Sequence, residues 1–235
     1  MCTVSFLPLS ASEFILTHNR DEHHTRSIAL PPETYQVQNK NVIYPKDEQG
    51  GGTWFATSKE VSLCLLNGGF KKHISIPPYR HSRGKIILDF FSFNDLNSFI
   101  NNYDVNLLEP FTLLIINHQT LRLDQLVLDN NSLSHSTLDN NIPHIWSSTT
   151  LYNEDIRIQR KNIFNTWCDK QERFTQEAII KFHLQDQHPD MTEGIRINRE
   201  GNLFTVSLTS VASQASNGSM LYHDFINDQT KSLAF

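Results

Sequence analysis

Strand-like and helix-like patterns alternate in blocks along this chain of 235 residues. Short apolar or alternating stretches typical of strands occupy residues 3–9, 13–18, 53–57, 61–66, 111–116, 121–128, 203–211 and 219–226. Helical spacing marks two segments after residue 84, divided by Asn94-Asp95, and two more at residues 153–170 and 175–183. This order predicts an α+β fold in which two antiparallel sheets stack and helices cover their outer faces.

Composition places the chain among folded globular proteins and restricts its partners. Hydrophobic residues make up 38% and charged residues 19%, and no linker interrupts the sequence, so we expect a single domain over residues 1–235. A net charge of -5 gives no broad basic field, and neither nucleic acid nor an anionic membrane surface is expected as a partner. One local basic cluster is the exception; it comprises Lys71, Lys72, His73, Arg80, His81, Arg83 and Lys85.

The cysteines and the apolar runs bear on location. Cys2, Cys64 and Cys168 are sparse and odd in number, which does not fit a disulfide framework and favours a reducing compartment. No apolar run is long enough to span a bilayer, and the N-terminus lacks the pattern of a signal peptide. We therefore expect a cytoplasmic protein that acts on a small molecule, with its oligomeric state left open. Cys64 is expected to be a small buried hydrophobe, and Cys168 a packing residue on a helix.

Cys2 directly follows the initiator methionine. Removal of Met1 would leave a cysteine that carries both a thiol and a free α-amino group. Such an amine titrates at about 8, so a useful fraction is neutral near pH 7 and can take the thiol proton, after which the thiolate attacks an amide or ester carbonyl. Chain ends are often frayed, but Cys2 leads straight into a predicted strand, so we expect it to be held in place.

Three further stretches stand out. Residues 17–24 follow an apolar strand with closely spaced ionisable groups, which form either a site or a solvated turn with a local ion pair. Residues 50–54 and 66–69 contain glycine clusters, which form either ordinary turns or places of close backbone approach. His23 and His24 would point to opposite faces of a strand and lack zinc spacing, so no metal site and no cofactor are expected.

Taken in order, these stretches resemble a known family. Its motifs are matched by Cys2, Asn19-Arg20-Asp21-Glu22, Gly51-Gly52-Thr53-Trp54, Asn67-Gly68 and Ser82-Arg83-Gly84. The pattern is similar to the NRDE family, which includes the transport and Golgi organisation protein 2 proteins. The resemblance implies a four-layer αββα sandwich of the N-terminal nucleophile (Ntn) hydrolase type, similar to the penicillin V acylase and bile salt hydrolase group.

The same resemblance implies roles for individual residues. Cys2 would be the nucleophile, Arg20 and Asp21 would position its amine and thiol, and Asn67 would help to hold the oxyanion. The residues predicted to contact the substrate are Asn19, Trp54, Gly68 and Arg83. This chain departs from its relatives at Ser148, where they tend to have asparagine, and at Phe204, where acylases often have arginine. Both departures weigh against efficient amide hydrolysis.

Two function classes follow. The first is a cysteine hydrolase that cleaves a small amide or related acyl compound through a thioester on Cys2. The alternative, suggested by the resemblance, is a non-catalytic binding or trafficking protein whose pocket takes a lipid, acyl-CoA or haem. A haem carrier needs an axial ligand, for which the candidates are His18, His23, His73 and His81.

Overall fold

Two antiparallel sheets form the centre of the molecule. The computed structural model describes residues 2–184, 193–200, 202–214 and 217–235. The first half contains β1 (Cys2–Ser10), β2 (Glu13–His23), β3 (Leu30–Val37), β4 (Lys40–Lys46), β5 (Phe55–Thr57), β6 (Val61–Asn67), α1 (Gly84–Phe90), α2 (Leu96–Asn102) and β7 (Phe111–Asn117). The second half contains β8 (Leu123–Asp129), β9 (Ser132–Leu138), β10 (His144–Ser147), α3 (Glu154–Cys168), α4 (Gln176–Leu184), β11 (Asn198–Arg199), β12 (Leu203–Gln214), β13 (Asn217–Asp224) and β14 (Gln229–Ala234).

The strand order places the start of the chain inside a sheet. Sheet A has the order β10-β1-β2-β12-β13-β14, with β11 beside β12, and sheet B runs from β3 to β9 in chain order. Cys2 pairs with Arg20 on β2, and its neighbour Thr3 pairs with Ser147 on β10. The first residues of β1 are therefore held on both sides, which a frayed chain end is not.

Three apolar clusters define four layers. The cluster between the sheets includes Val4, Phe6, Leu16, Phe55, Cys64 and Leu114. The outer face of sheet B packs against α1 and α2 through Ile86, Ile87, Phe90 and Phe99. The outer face of sheet A packs against α3 and α4 through Leu7, Ile15, Phe164, Ile179 and Phe182. The architecture is an αββα sandwich, which confirms the predicted fold class.

Local sequence signals explain the helix positions. Asp95 accepts a hydrogen bond from the Ser98 backbone N–H, and the Ser98 hydroxyl accepts one from Asp95, so a capping box begins α2. The Asn153 side chain caps α3 in a similar way. The apolar stripe of α3 packs on sheet A, where Phe164 is buried. None of the helices in the described part of the chain is long and apolar enough to cross a lipid bilayer.

The strands that the pattern did not predict are mostly polar. β3 and β9 are the two edges of sheet B, and most of their side chains are exposed, so they lack the alternation that marks a half-buried strand. β4, β10, β11 and β14 were also missed. The loop expected around residues 216–218 is wrong in part, because Asn217 and Gly218 belong to β13, whereas Ser216 lies outside the described residues.

Candidate active site

Cys2 lines a cavity of about 470 Å³ between the ends of the two sheets. The lining comes from both sheets and from the loops that follow β2, β4, β6 and β10. Its members are Cys2, Arg20, Glu22, Arg26, Asp47, Thr53, Trp54, Leu65, Asn67, His73, Ser75, Ser82, Arg83, Gly84, Glu109 and Thr150. We call this the Cys2 cavity. It contains five of the predicted site residues, namely Cys2, Arg20, Trp54, Asn67 and Arg83, whereas Asn19, Asp21 and Gly68 are not part of its wall.

β2 divides the Asn19–Glu22 motif between its two faces. The interpretation of this stretch as a solvated turn is wrong, because β2 continues to His23 and residues 19–21 are buried. Successive side chains of a strand alternate between the faces of its sheet. Arg20 and Glu22 line the Cys2 cavity, while Asn19 and Asp21 contact residues of the helix layer and the adjoining strand.

Arg20 pairs with Cys2 across β1 and β2, and few contacts restrain its guanidinium. The group stacks on the Trp54 ring at 4.3 Å from the centroid. Its Nη2 lies 3.4 Å from Glu22 Oε2 and 3.8 Å from Asp47 Oδ2. Its side chain donates no hydrogen bond to any described residue, although it is only 4% exposed. Arg20 can therefore donate to a bound molecule without breaking an existing hydrogen bond.

Asn67 and Trp54 contribute two more free donors. The Asn67 side-chain amide has no hydrogen-bond partner among the described residues, and only its backbone carbonyl is engaged, as the acceptor of the Ser148 hydroxyl at 2.6 Å. The Trp54 indole N–H is buried and likewise has no partner in the described part of the chain. Of the two, only the Trp54 N–H is fully buried, and an unpaired buried donor is costly and is expected where a ligand completes it.

Ser148 connects Cys2 to the end of β6. Its backbone N–H donates to the Cys2 carbonyl at 3.0 Å. Its hydroxyl donates to the Asn67 carbonyl at 2.6 Å and contacts the Thr150 hydroxyl at 2.8 Å, so at this predicted departure the hydroxyl is already hydrogen-bonded within the protein. Phe204, the other departure, pairs with Glu22 from β12 and is not in the wall of the Cys2 cavity.

Two groups of ion pairs complete the wall. Arg26 Nη2 is 2.5 Å from Asp47 Oδ2 on one side. On the other side, Arg83 Nη2 lies 3.0 Å from Glu109 Oε2, and His73 Nε2 lies 3.1 Å from Glu109 Oε1. Sequence reasoning missed the two carboxylates of these groups. Asp47 had a local signal, since its carbonyl and carboxylate accept from the glycine turn that follows, whereas Glu109 had none.

Two glycine motifs meet at the cavity. A Cβ on Gly52 would overlap the backbone of Gly84, and the Thr53 N–H donates to the Gly84 carbonyl at 3.0 Å. The close approach explains why the motifs around these glycines occur together. Gly68 has a φ of 95°, and a Cβ there would overlap Thr149 Oγ1, so this glycine sets the turn after Asn67.

On the opposite face of sheet A, Asp21 and the amide nitrogen of Asn19 are hydrogen-bonded, whereas Asn19 Oδ1 is buried without a partner in the described residues. Asp21 accepts from Tyr152 Oη at 3.0 Å and from Thr205 Oγ1 at 2.7 Å, and burial raises the pKa of its carboxyl despite the nearby Arg160. The Asn19 amide donates to the carbonyls of His183 and Ile195, at 2.9 and 3.1 Å. These side chains connect β2 to the segments that cover sheet A.

Burial governs the chemistry of the cysteines. It raises the pKa of the Cys2 thiol, and Asp21 adds to this, while Arg20 acts in the opposite direction. Cys2 is therefore mainly a thiol near neutral pH and needs a base to react. Burial raises the pKa of Cys64 well above its usual value and that of Cys168 to about 12. Cys64 is buried between the sheets, and Cys168 packs against the α3–α4 cluster, as predicted.

His18 lies behind the Cys2 cavity. It is fully buried in β2, 6.5 Å from the Trp54 ring between centroids, and neither ring nitrogen has a partner in the described residues. Burial holds its pKa well below the usual value, so the ring is neutral. Within the described ranges, no group of three or more His, Cys, Asp and Glu side chains is arranged to hold a metal ion.

Comparisons with known proteins agree with this architecture. The C2A mutant of the conjugated bile acid hydrolase from Clostridium perfringens superposes with a TM-score of 0.55 at 10% identity, over 99% of this chain and 92% of that one. Penicillin V acylase from Agrobacterium tumefaciens gives 0.54 at 6% identity, over 99% and 86%. No curated protein matches the chain. The profile of the family described as Transport and Golgi organisation 2 matches residues 1–216. The chain therefore belongs to this family, also known as NRDE, and has the fold of the Ntn hydrolases.

Proposed function

We propose that this protein is an Ntn-type cysteine hydrolase that cleaves a small amide or related acyl compound, with a polar group next to the scissile bond, through a thioester on Cys2. The observation that carries the proposal is the position of Cys2 at the start of a central strand, in the wall of a cavity lined by three N–H donors that make no hydrogen bond to any described residue. These donors are the Asn67 amide, the Trp54 indole and the Arg20 guanidinium, of which the last also forms ion pairs with Glu22 and Asp47. A buried thiol with donors around it fits attack on a carbonyl that gains negative charge.

The reaction follows from these positions once Met1 has been removed. The α-amino group of Cys2 accepts the thiol proton, and the sulfur attacks the substrate carbonyl. The resulting oxyanion accepts a hydrogen bond from the Asn67 side-chain amide. When the tetrahedral adduct collapses, the leaving amine takes the proton from the α-ammonium group and the acyl group stays on sulfur. Water, deprotonated by the same amine, then hydrolyses the thioester and restores the thiol.

The charges of the Cys2 cavity support a polar substrate. Six of the lining side chains are ionic: Arg20, Arg26, Arg83, Glu22, Asp47 and Glu109. Cations and anions are equal in number, so the cavity favours a polar or zwitterionic group rather than an apolar body. Burying a large apolar surface against these groups would cost their hydration without replacing it.

The alternative, a haem or lipid carrier, draws less support from this cavity. Of the four candidate axial ligands, only His73 lines the cavity, and it contacts Glu109. His18 is enclosed between the sheets, His23 is exposed, and His81 contacts Tyr103 and the Ser82 carbonyl. The donor set therefore favours hydrolysis over haem transport. The fold neighbours, a hydrolase and an acylase, support the same choice.

The test begins with processing and then separates the two steps of catalysis. Intact mass should show loss of Met1, and retention of Met1 in active protein would contradict the mechanism. Among p-nitroanilides of small polar acids, Cys2→Ala should abolish turnover. Asn67→Ala should lower kcat by about 100-fold to 1000-fold with little change in KM, because the donor acts on charge that develops in the transition state. The exposed Asn101→Ala is the matched control. A rise in KM alone would assign Asn67 to substrate binding.

A further inference from the structure

A second cavity lies on the other side of Asn67. Its volume is about 320 Å³, and it is formed between β10, α3 and the turn after β6. Leu66, Val127, Ile145 and Trp146 supply an apolar wall. Phe70 and Ile158 stand at its rim and are 53% and 51% exposed. Large apolar side chains exposed next to an apolar concavity are typical of a binding site for an apolar group.

Two cations on α3 face this apolar wall. Arg157 and Lys161 are one turn apart and both line the second cavity. Within the part of the chain that the structure describes, neither side chain makes an ion pair or a hydrogen bond, and Arg157 Nε is buried without a partner. Glu154, at the same rim, forms no ion pair with either, so the cavity has a net charge of about +1 from these three groups.

A ligand that contacts both the two cations and the apolar wall needs an anionic group and an apolar group. Like charges one turn apart on a helix repel each other, and a buried donor without an acceptor is destabilising. An anion between Arg157 and Lys161 would relieve both costs, while an attached apolar body would cover Trp146 and Phe70. A free inorganic anion would pair with the cations but leave the apolar wall exposed. A neutral hydrocarbon would cover the apolar wall but leave the cations unpaired.

Asn67 joins this cavity to the nucleophile, because it lines both. We propose that the second cavity binds an anionic amphiphile, namely a compound with a carboxylate or phosphate attached to an apolar body. This part of the substrate extends past Asn67 from the scissile bond at Cys2. The binding site stands on its own observations, and only its description as part of the substrate rests on the proposed function.

Binding of short amphiphiles tests the site directly. Calorimetric titration of the Cys2→Ala protein should show binding of octanoate or octyl phosphate, and at least tenfold weaker binding of octanol and octylammonium. Arg157→Gln should weaken the anion about tenfold and Arg157→Lys less, since a charge-assisted hydrogen bond is lost in the first and a charge is kept in the second. Lys161→Gln, on an exposed side chain, should also weaken binding, while Lys170→Gln beyond the same helix should not.

The possible outcomes distinguish a carboxylate ligand from a phosphate ligand. They also distinguish failure of the binding site from failure of the proposed hydrolase function. Stronger binding of octanoate indicates a carboxylate ligand, and stronger binding of octyl phosphate indicates a phosphate ligand. Equal binding of octanol and octanoate, or unchanged affinity in both Arg157→Gln and Lys161→Gln, overturns the site while leaving the reactivity of Cys2 untouched. An inert Cys2 in a protein that binds octanoate through Arg157 overturns the hydrolase and keeps the site.

Discussion

The two faces of β2 at the Asn19–Glu22 motif differ in how completely their polar groups are paired. On the helix side, Asp21 and the Asn19 amide nitrogen have hydrogen-bond partners at 2.7–3.1 Å. On the cavity side, Arg20 has only an aromatic neighbour and two ion-pair contacts at 3.4 and 3.8 Å. A four-residue motif that looks uniform in sequence therefore combines two different environments.

This difference indicates a division of tasks. Buried hydrogen bonds such as those of Asp21 and the Asn19 amide nitrogen stabilise one arrangement of the fold, and removing one partner leaves the other unsatisfied. Groups left unpaired beside a cavity retain donors for a ligand. We infer that Asn19 and Asp21 connect sheet A to its covering segments, whereas Arg20 serves the chemistry at Cys2.

The largest expected effect is on the helix side. Asp21→Asn leaves only one side-chain acceptor for the two hydroxyls of Tyr152 and Thr205, so one buried donor loses its partner. We expect the free energy of unfolding to fall by about 1–3 kcal/mol in urea titrations. Glu22→Gln, on the cavity side and partly exposed, should change it by about 1 kcal/mol or less. If both variants lost the same amount of unfolding free energy, the two faces of β2 would not differ in their contribution to stability.

A pH titration sharpens the same contrast. His183 is buried on the helix side, in contact with Ser5 Oγ at 2.7 Å, and burial, with Arg160 adding, lowers its pKa to about 3. The unfolded chain binds a proton at about 6.5, so the contribution of His183 to stability is present above that pH and is lost as pH falls toward 3.

His183→Gln should therefore flatten the dependence of unfolding free energy on pH. The expected change in slope is about 1.4 kcal/mol per pH unit below pH 6.5. The exposed His24→Gln is the control and should keep the wild-type slope. His118, whose pKa burial lowers to about 4, contributes to the slope in all three proteins. An unchanged slope in His183→Gln would mean that this imidazole is not held neutral by the fold.

The smallest effect on stability is expected for Arg20→Gln. The variant loses the stacking of Arg20 on Trp54 and two long ion pairs, with Glu22 and Asp47, but no hydrogen bond, so unfolding free energy should fall by about 1 kcal/mol or less. Alkylation of Cys2 by iodoacetamide at neutral pH should nevertheless slow, because Arg20 lowers the pKa of the thiol. Arg26→Gln, at the same wall, is the control. If Arg20→Gln were alkylated at the wild-type rate, Arg20 would have no influence on the reactivity of Cys2.

The layers and several residues that line the Cys2 cavity could be predicted from the sequence, for identifiable reasons. Buried strands such as β1 and β7 carry apolar side chains, and the α2 cap has its own residue signature. The edge strands β3 and β9 bury little, so they left no such pattern. At the site, Cys2 and Asn67 were found through the motifs that surround them.

The remaining site features depend on tertiary contacts. The polar end of β2 resembles a turn because its partners, such as Tyr152 and His183, are more than 100 residues away in the chain. Glu109 pairs with Arg83 only because the segment before β7 passes the cavity. Neither contact leaves a local signal in the sequence. The division of the Asn19–Glu22 motif between two faces therefore became visible only once the structure showed that β2 continues to His23.

Competition among the three cysteines tests the central claim most directly. The full-length protein is treated with a limiting amount of an electrophilic acyl probe and the modified peptides are mapped by mass spectrometry. We predict that the label lies on the N-terminal peptide at Cys2, since Cys64 is buried with a pKa well above its usual value and burial raises the pKa of Cys168 to about 12. Label spread evenly over the three cysteines, or confined to Cys64, would contradict an activated Cys2.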